Sequence, residues 1–218
     1  MKTFNKTLIA ASLATLGMAA APAALANVEA SATVATSYLW RGLDLGTGTG
    51  SVSADAVYST GGLSAGVWVG SGDTNAGTEY DLFVSYGGEL GALGYSIGYA
   101  EYNYPTNDTD EAEEGFQGAT DLEDYIYSLS YAGVTATHYD AKDSDGSYNT
   151  LSFDLAGFGV LLGDHDRQGD AADGEMSHLD LSYGVNDSLT FTVSTIISSS
   201  APAEESDTTV VASYSLPF

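Results

Sequence analysis

No cysteine occurs among the 218 residues, which excludes disulfides, thiolate metal sites, a cysteine nucleophile and redox chemistry through sulfur. Basic residues are nearly as scarce, five against 30 acids, for a formal charge of -25. Nucleic acid is therefore an unsuitable partner, because phosphate binding is driven by lysine and arginine. Long apolar runs are missing as well. The one candidate lies near the start, from Leu8 to about Ala21, and is too short and too Ala-rich to remain in a bilayer as a helix. With Lys2 and Lys6 before it and Ala24-Leu25-Ala26 after it, this segment reads as a signal peptide cleaved between Ala26 and Asn27. The expected organisation is residues 1–26 as signal peptide and 27–218 as one domain, since no Pro-rich or Ser-rich linker divides the rest.

What is present is tyrosine, glycine and alternation. Acidic chains poor in apolar residues tend to stay disordered, but this one is 44% hydrophobic with 15 Tyr and 26 Gly, which suits a β-protein. A period of two begins at once: Val28, Ala30, Ala32, Val34, Tyr38 and Trp40 on one face, Glu29, Ser31, Thr33, Ser37 and Arg41 on the other. It returns in Val52–Tyr58, Leu63–Val69, Tyr80–Tyr86 and Leu93–Tyr99 before Pro105. After the acidic stretch from Asn107 to Thr120 it resumes in Tyr125–Tyr131, Val134–Tyr139, Leu151–Leu155, Phe158–Leu162, Leu179–Tyr183, Leu189–Ile197 and Val210–Phe218. The pattern predicts about 12 antiparallel strands, an even number suited to a transmembrane up-and-down β-barrel.

Loop lengths separate a membrane barrel from a soluble sandwich. Long polar connections are expected near 42–50, 71–78, 104–121, 140–147, 164–175 and 198–207. They alternate with short ones at Thr60-Gly61-Gly62, Gly87–Ala92, Ala132-Gly133, Ala156-Gly157 and Gly184–Ser188. Outer-membrane barrels sort long external loops and short periplasmic turns in this way. Tyr58, Tyr86, Tyr131, Tyr183 and Phe218 fall at or near strand ends and are expected to form a periplasmic girdle, with Trp40, Tyr102 and Tyr104 in the outer one. The chain ends in Phe218 after alternating Val210, Ala212, Tyr214 and Leu216. This is similar to the signal read by the barrel-assembly machinery, an expected partner beside outer-membrane lipid and lipopolysaccharide.

The segment Ser37-Tyr38-Leu39-Trp40-Arg41-Gly42, followed by Gly62–Trp68, Glu79–Gly87 and Gly94–Pro105, resembles the TorF family of porins. That family opens with an aromatic-x-Trp-Arg-Gly motif, then a Gly-rich strand carrying Trp, an acidic-x-Asp strand and a Tyr-rich strand ending in Tyr-Pro. Where the family pattern has a Pro-Ala-x-Gln-Gly-like segment, residues 48–54 read GTGSVSA. The resemblance implies an outer-membrane barrel and porin-like transport.

With the apolar sets facing lipid, the inward sets include Ser51, Ser53, Ser64, Gly66, Gly94, Ser96, Gly98, Thr190, Thr192 and Ser194. Small polar side chains leave space in a barrel of this strand number, so an aqueous passage is expected. The acids Asp55, Glu79, Asp81, Asp124, Asp154 and Asp180 are candidate lumen residues that favour cations. Arg41 is expected to pair with one of them or to shape a constriction. The function predicted is passive diffusion of small hydrophilic solutes; the alternatives are a non-conducting structural or adhesive barrel, or an outer-membrane lipid hydrolase. Of the three histidines, His178 neighbours Ser177, but consecutive strand residues point to opposite faces, so no nucleophile-base pair results. His165 among Asp164, Asp166 and Asp170 reads as a polar loop more readily than as a metal site. Asp143-x-Asp145-Gly146 lacks the first and twelfth ligands of an EF-hand. No nucleotide or zinc signature appears, and no cofactor is expected.

Overall fold

Strand reversals at one end of the molecule are as tight as the chain allows. Gly61-Gly62, Ala132-Gly133 and Ala156-Gly157 place both residues at positive φ, the type I′ turn whose twist matches that of the strands it joins. The computed structural model describes residues 26–105, 122–142, 146–167, 174–200 and 208–218. Residues 1–25, which hold all but the last residue of the expected signal peptide, the acidic stretch 106–121, Asp143, Asp145 and Asp170 lie outside the described residues.

Fourteen strands are described: β1 (Asn27–Ala35), β2 (Leu39–Trp40), β3 (Leu43–Asp44), β4 (Ser51–Thr60), β5 (Leu63–Asp73), β6 (Gly77–Leu90) and β7 (Leu93–Asn103). They continue as β8 (Leu122–Tyr131), β9 (Val134–Ala141), β10 (Ser147–Leu155), β11 (Phe158–Arg167), β12 (Gly174–Gly184), β13 (Leu189–Ser199) and β14 (Thr208–Pro217). Twelve of them close a barrel in which each pairs with its sequence neighbour, β1 joins β4, and β14 returns to β1. All pairings are antiparallel. Closure leaves no unpaired sheet edge, the condition a lipid environment imposes on any strand structure. The β2–β3 hairpin stands apart as its own two-stranded sheet.

Alternation sorts the side chains as expected for a transmembrane barrel. Val28, Val52, Val69, Leu82, Val84, Ile97, Leu129, Leu155, Phe191, Val193, Val210 and Leu216 are all exposed on the outer surface. In a water-soluble protein so broad an apolar belt would be a liability; against hydrocarbon it is the stabilising surface. The opposite positions carry Ser, Thr, Gly and acids, with Tyr102, Tyr139, Tyr148, His165 and His178 among them.

Two expectations about connections need correction. The connection placed at 71–78 is only residues 74–76, because β5 runs on to Asp73 through a register shift after Gly70. The Asp73 carboxylate accepts the Asn75 and Ala76 N–H groups there, closing a compact turn. At the other end β6 continues to Leu90, leaving Gly91-Ala92 as the turn rather than 87–92. The parity of the ends survives: connections 36–50, 74–76, 104–121, 142–146, 168–173 and 200–207 share one end, here the loop end, and the four two-residue turns with the connection 185–188 share the other, the turn end.

Candidate functional site

The first strand does not run to Arg41 with Tyr38 and Trp40 facing lipid. β1 ends at Ala35, Thr36 makes a last backbone bond to Ala212 of β14, and the chain then enters the barrel. There Leu39 pairs with Asp44 and Trp40 with Leu43 around a two-residue turn, Arg41 (φ 47°) and Gly42 (φ 86°). This is the same I′ geometry as the turns at the far end, but with arginine in the left-handed position, at a cost of roughly 1–2 kcal/mol. Such strain persists where surrounding contacts over-determine it.

Those contacts cross the lumen. At the base, the Ser37 hydroxyl bonds the Asp44 carboxylate, and the Thr74 N–H of the β5–β6 turn donates to the Leu45 carbonyl at 3.1 Å. On the near wall, Tyr38 stacks on Trp68 of β5 with centroids 6.1 Å apart, and its hydroxyl donates to Glu79 of β6 at 2.6 Å. At the tip, Arg41 pairs with Asp124 of β8 and donates to the Tyr102 hydroxyl at 2.9 Å. Its guanidinium lies 4.6 Å from the Trp40 and Tyr139 ring centres and 4.9 Å from that of Tyr148. β9, which carries Tyr139, is six places from β1 in either direction around the barrel. The hairpin therefore reaches from the β1 wall to the one diametrically opposite.

Behind the tip lies a second network that holds the turn. The Arg41 carbonyl meets His165 Nε2 of β11 at 2.8 Å, which makes that ring nitrogen the donor. Gly42 packs on His178 of β12 so closely that an added Cβ would fall 2.3 Å from the imidazole Cγ. His178 is fully buried, with Nδ1 3.0 Å from Asp180 Oδ1 and Nε2 2.9 Å from the Tyr148 hydroxyl, while Ser194 donates to the same Asp180 oxygen at 2.6 Å. Both imidazole nitrogens are occupied and the serine serves the carboxylate rather than the ring. The array orients the turn, with Ser194 on the carboxylate and the Tyr148 hydroxyl on the ring.

On the other side of the hairpin, Glu79 accepts from Tyr38 and, at 2.9 Å, from the Tyr104 hydroxyl. Burial first, and the Glu79 charge second, hold both tyrosines well above the ordinary range, so they remain donors. Asp81 sits two places along the same face of β6 and is fully buried.

Sequence-named residues thus fall into four groups. Arg41, Glu79, Asp81, Asp124 and Asp180 meet around the hairpin. Asp55 lies further along the wall, hydrogen-bonded by Ser31, and Asp154 is exposed on the inward side of β10 near its turn. Tyr58, Tyr86, Tyr131, Tyr183 and Phe218 are exposed on the outer surface, Phe218 at 82%. Trp40, Tyr102 and Tyr104 belong inside: Trp40 packs on Arg41 and near His165, Tyr102 bonds Asp124, and Tyr104 bonds Glu79. An outer-girdle position is excluded for them, because the lumen offers their rings and hydroxyls a cation and carboxylates that lipid does not. Ser177 faces outward to Asp164 while His178 faces in, and Asp164 is likewise on the face opposite His165. Tyr139 and Tyr148 carry no site role in the sequence reading, Tyr38 is placed there on the lipid face, and Asp180 is named without its partner His178. Two signals point to them: Arg41-Gly42 between the pairs Leu39-Trp40 and Leu43-Asp44, and His178 and Asp180 at i and i+2 on one strand face.

The class defined by these features is a twelve-stranded transmembrane β-barrel with an internal hairpin. No protein-family model matches the chain, and no curated protein does. Among solved structures it is similar to a mutant of the Rh. blastica porin (14% identity, 76% of this chain and 55% of that one, TM-score 0.42). It is also similar to Acinetobacter baumannii OccAB4 (10%, 78% and 54%, 0.41) and Pseudomonas aeruginosa OccK8 (OprE) (12%, 78% and 58%, 0.40). The chain spans a little over half the length of each. Likeness at this level carries nothing about activity, which must be argued from the barrel's own residues.

Proposed function

We propose that the chain is an outer-membrane porin-like channel that passes small hydrophilic solutes by passive diffusion, with a preference for cations. The observation that carries this reading is the sorting of one closed wall into an apolar exterior and a hydrophilic interior. Toward the turn end the inward positions include Ser64, Ser85, Ser96, Ser128, Thr137, Ser182 and Thr192, with Asp154 near the β10–β11 turn, mostly small side chains in a barrel of twelve strands. Cation preference is supported by the inward acids, since the one basic side chain at the hairpin is already neutralised by Asp124. Placement in the outer membrane is supported by the signal-peptide pattern, by Phe218 as an assembly signal, and by the resemblance to TorF porins; contact with lipopolysaccharide would follow at the loop end. The reading is non-enzymatic.

A second reading has its own support. Because the hairpin crosses the full lumen, the barrel can be stoppered by its own chain and serve as a structural or adhesive element. Planar-bilayer recording with a salt gradient, on the native chain and on one with residues 39–44 replaced by a Gly-Ser link, separates the two. Channel function predicts cation-directed reversal in the native protein and a larger conductance after replacement. Current only after replacement would establish the stopper, and silence or anion selectivity in both would remove the channel.

A further inference from the structure

Four residues from consecutive strands form a box on the wall opposite β1: Tyr102 of β7, Asp124 of β8, Tyr139 of β9 and Tyr148 of β10, all buried. The wall holds them without help from the hairpin. Tyr139 and Tyr148 are cross-strand partners with ring centres 5.4 Å apart, the Tyr102 hydroxyl donates to Asp124 at 2.9 Å, and the Tyr148 hydroxyl bonds His178. Three aromatic rings and one carboxylate, taken out of water together, make a receptor for an organic cation, because the rings attract positive charge and burial strengthens every electrostatic term.

Arg41 occupies the box, and it fits poorly. Its hydrogen bonds to Tyr102 and Asp124 both leave from Nη2, not as the two-pronged fork that arginine makes with a well-matched carboxylate. Its buried Nε–H has no acceptor among the described residues, a desolvated donor that weakens the fit. To reach the box at all, Arg41 takes the left-handed φ of 47°. The wall therefore matches a flat positive charge better than it matches this arginine, and the tether to the hairpin is what favours Arg41.

We propose that Tyr102, Asp124, Tyr139 and Tyr148 form a binding site for small organic cations with a guanidinium-like head, and that Arg41 is its internal, displaceable occupant. The incoming cation replaces the Arg41 guanidinium on Asp124 and among the rings. The arginine side chain then turns into the lumen while the turn backbone stays on His165 and His178. Such cations become the solute class that the loop end admits, a step that rests on the cation-preferring channel read above; the binding itself does not. A tethered group competes at an effective concentration on the order of millimolar, so the native protein should need several-fold more ligand than one lacking Arg41.

The probe is methylguanidinium, exchanged for K⁺ at constant ionic strength with the refolded barrel in detergent, and urea is the neutral control of like shape. In Arg41→Ala the probe should raise the melting temperature saturably, urea should not, and adding Asp124→Asn should abolish the gain. No rise, a rise matched by urea, or one that survives Asp124→Asn overturns the site. The native protein is read through a ¹⁵N-arginine label, since Arg41 and Arg167 are the only arginines and Arg167→Lys assigns their signals. The buried Arg41 Nε–H should exchange slowly with water, and methylguanidinium should speed that exchange several-fold and saturably. An Arg41 signal that the probe leaves unchanged overturns the displacement, and it decides alone should Arg41→Ala fail to fold. Cation-selective current without these effects removes the site and leaves the channel; the effects without current remove the channel and leave the site.

Discussion

The same strands present different interiors at their two ends. Toward the loop end, β6 to β12 contribute Glu79, Asp81, Tyr102, Asp124, Tyr139, Tyr148, His165 and His178, nearly all engaged with the hairpin or with one another. Toward the turn end they contribute Ser85, Ser96, Ser128, Ser130, Thr135, Ser152 and Ser182, which at most bond a neighbouring hydroxyl, as Ser128 does Thr137 at 2.8 Å and Ser182 does Thr192 at 2.9 Å. Large charged and aromatic groups fix a position; small hydroxyls line a surface. One end is built to hold a segment of the chain in place, the other to leave space.

Substitutions should divide along that line. The largest effect is expected at Arg41: Arg41→Ala strands the buried Asp124 carboxylate and removes four ring contacts, lowering stability by roughly 3–5 kcal/mol. Urea unfolding in a bilayer-mimetic detergent would show it, and Asp124→Asn in the same protein should restore a part, since the stranded charge is then gone. If Arg41→Ala costs no more than a Ser96→Ala change at the turn end, the contrast between the ends is false.

A smaller effect is expected at the turn. Gly42→Ala drives a methyl into His178 while keeping the left-handed backbone, which should cost about 1–3 kcal/mol. Adding His178→Ala should relieve the clash, so the double variant would fall by less than the two singles combined. Additive losses would place the turn away from His178. Least is expected at the rim, where Lys142 and Glu123 pair on the outer face. Lys142→Ala should change stability by less than about 1 kcal/mol, and that remnant should shrink in high salt.

Strands were legible because lipid enforces the pattern. Val84 cannot exchange places with Ser85 without putting a hydroxyl in hydrocarbon, so the period of two is written plainly into β6 and most of its neighbours. The hairpin escaped for a reason specific to its residues. Tyr38 and Trp40 continue the parity of Val34, so the alternation runs on smoothly where the chain in fact leaves the wall. Periodicity reports that a residue is apolar and spaced by two; it does not report which medium it meets. Arg41 was legible as a partner for one of the lumen acids, but Asp124 could be chosen only once β8 and the hairpin were brought across the barrel from one another, 83 residues apart in sequence. The short 74–76 turn was hidden because Gly70 and Gly72 look like loop residues, whereas Gly70 makes room for the Trp68 ring within the strand.

Absence of cysteine offers the most direct check on the central claim, that the wall separates lipid from a wet interior continuing beyond the hairpin. Val84→Cys and Ser85→Cys proteins, adjacent on β6, would be refolded into lipid vesicles and exposed to a charged, membrane-impermeant thiol reagent. The account predicts rapid modification at Ser85→Cys and protection at Val84→Cys. Protection at both, or modification only at Val84→Cys, would contradict it.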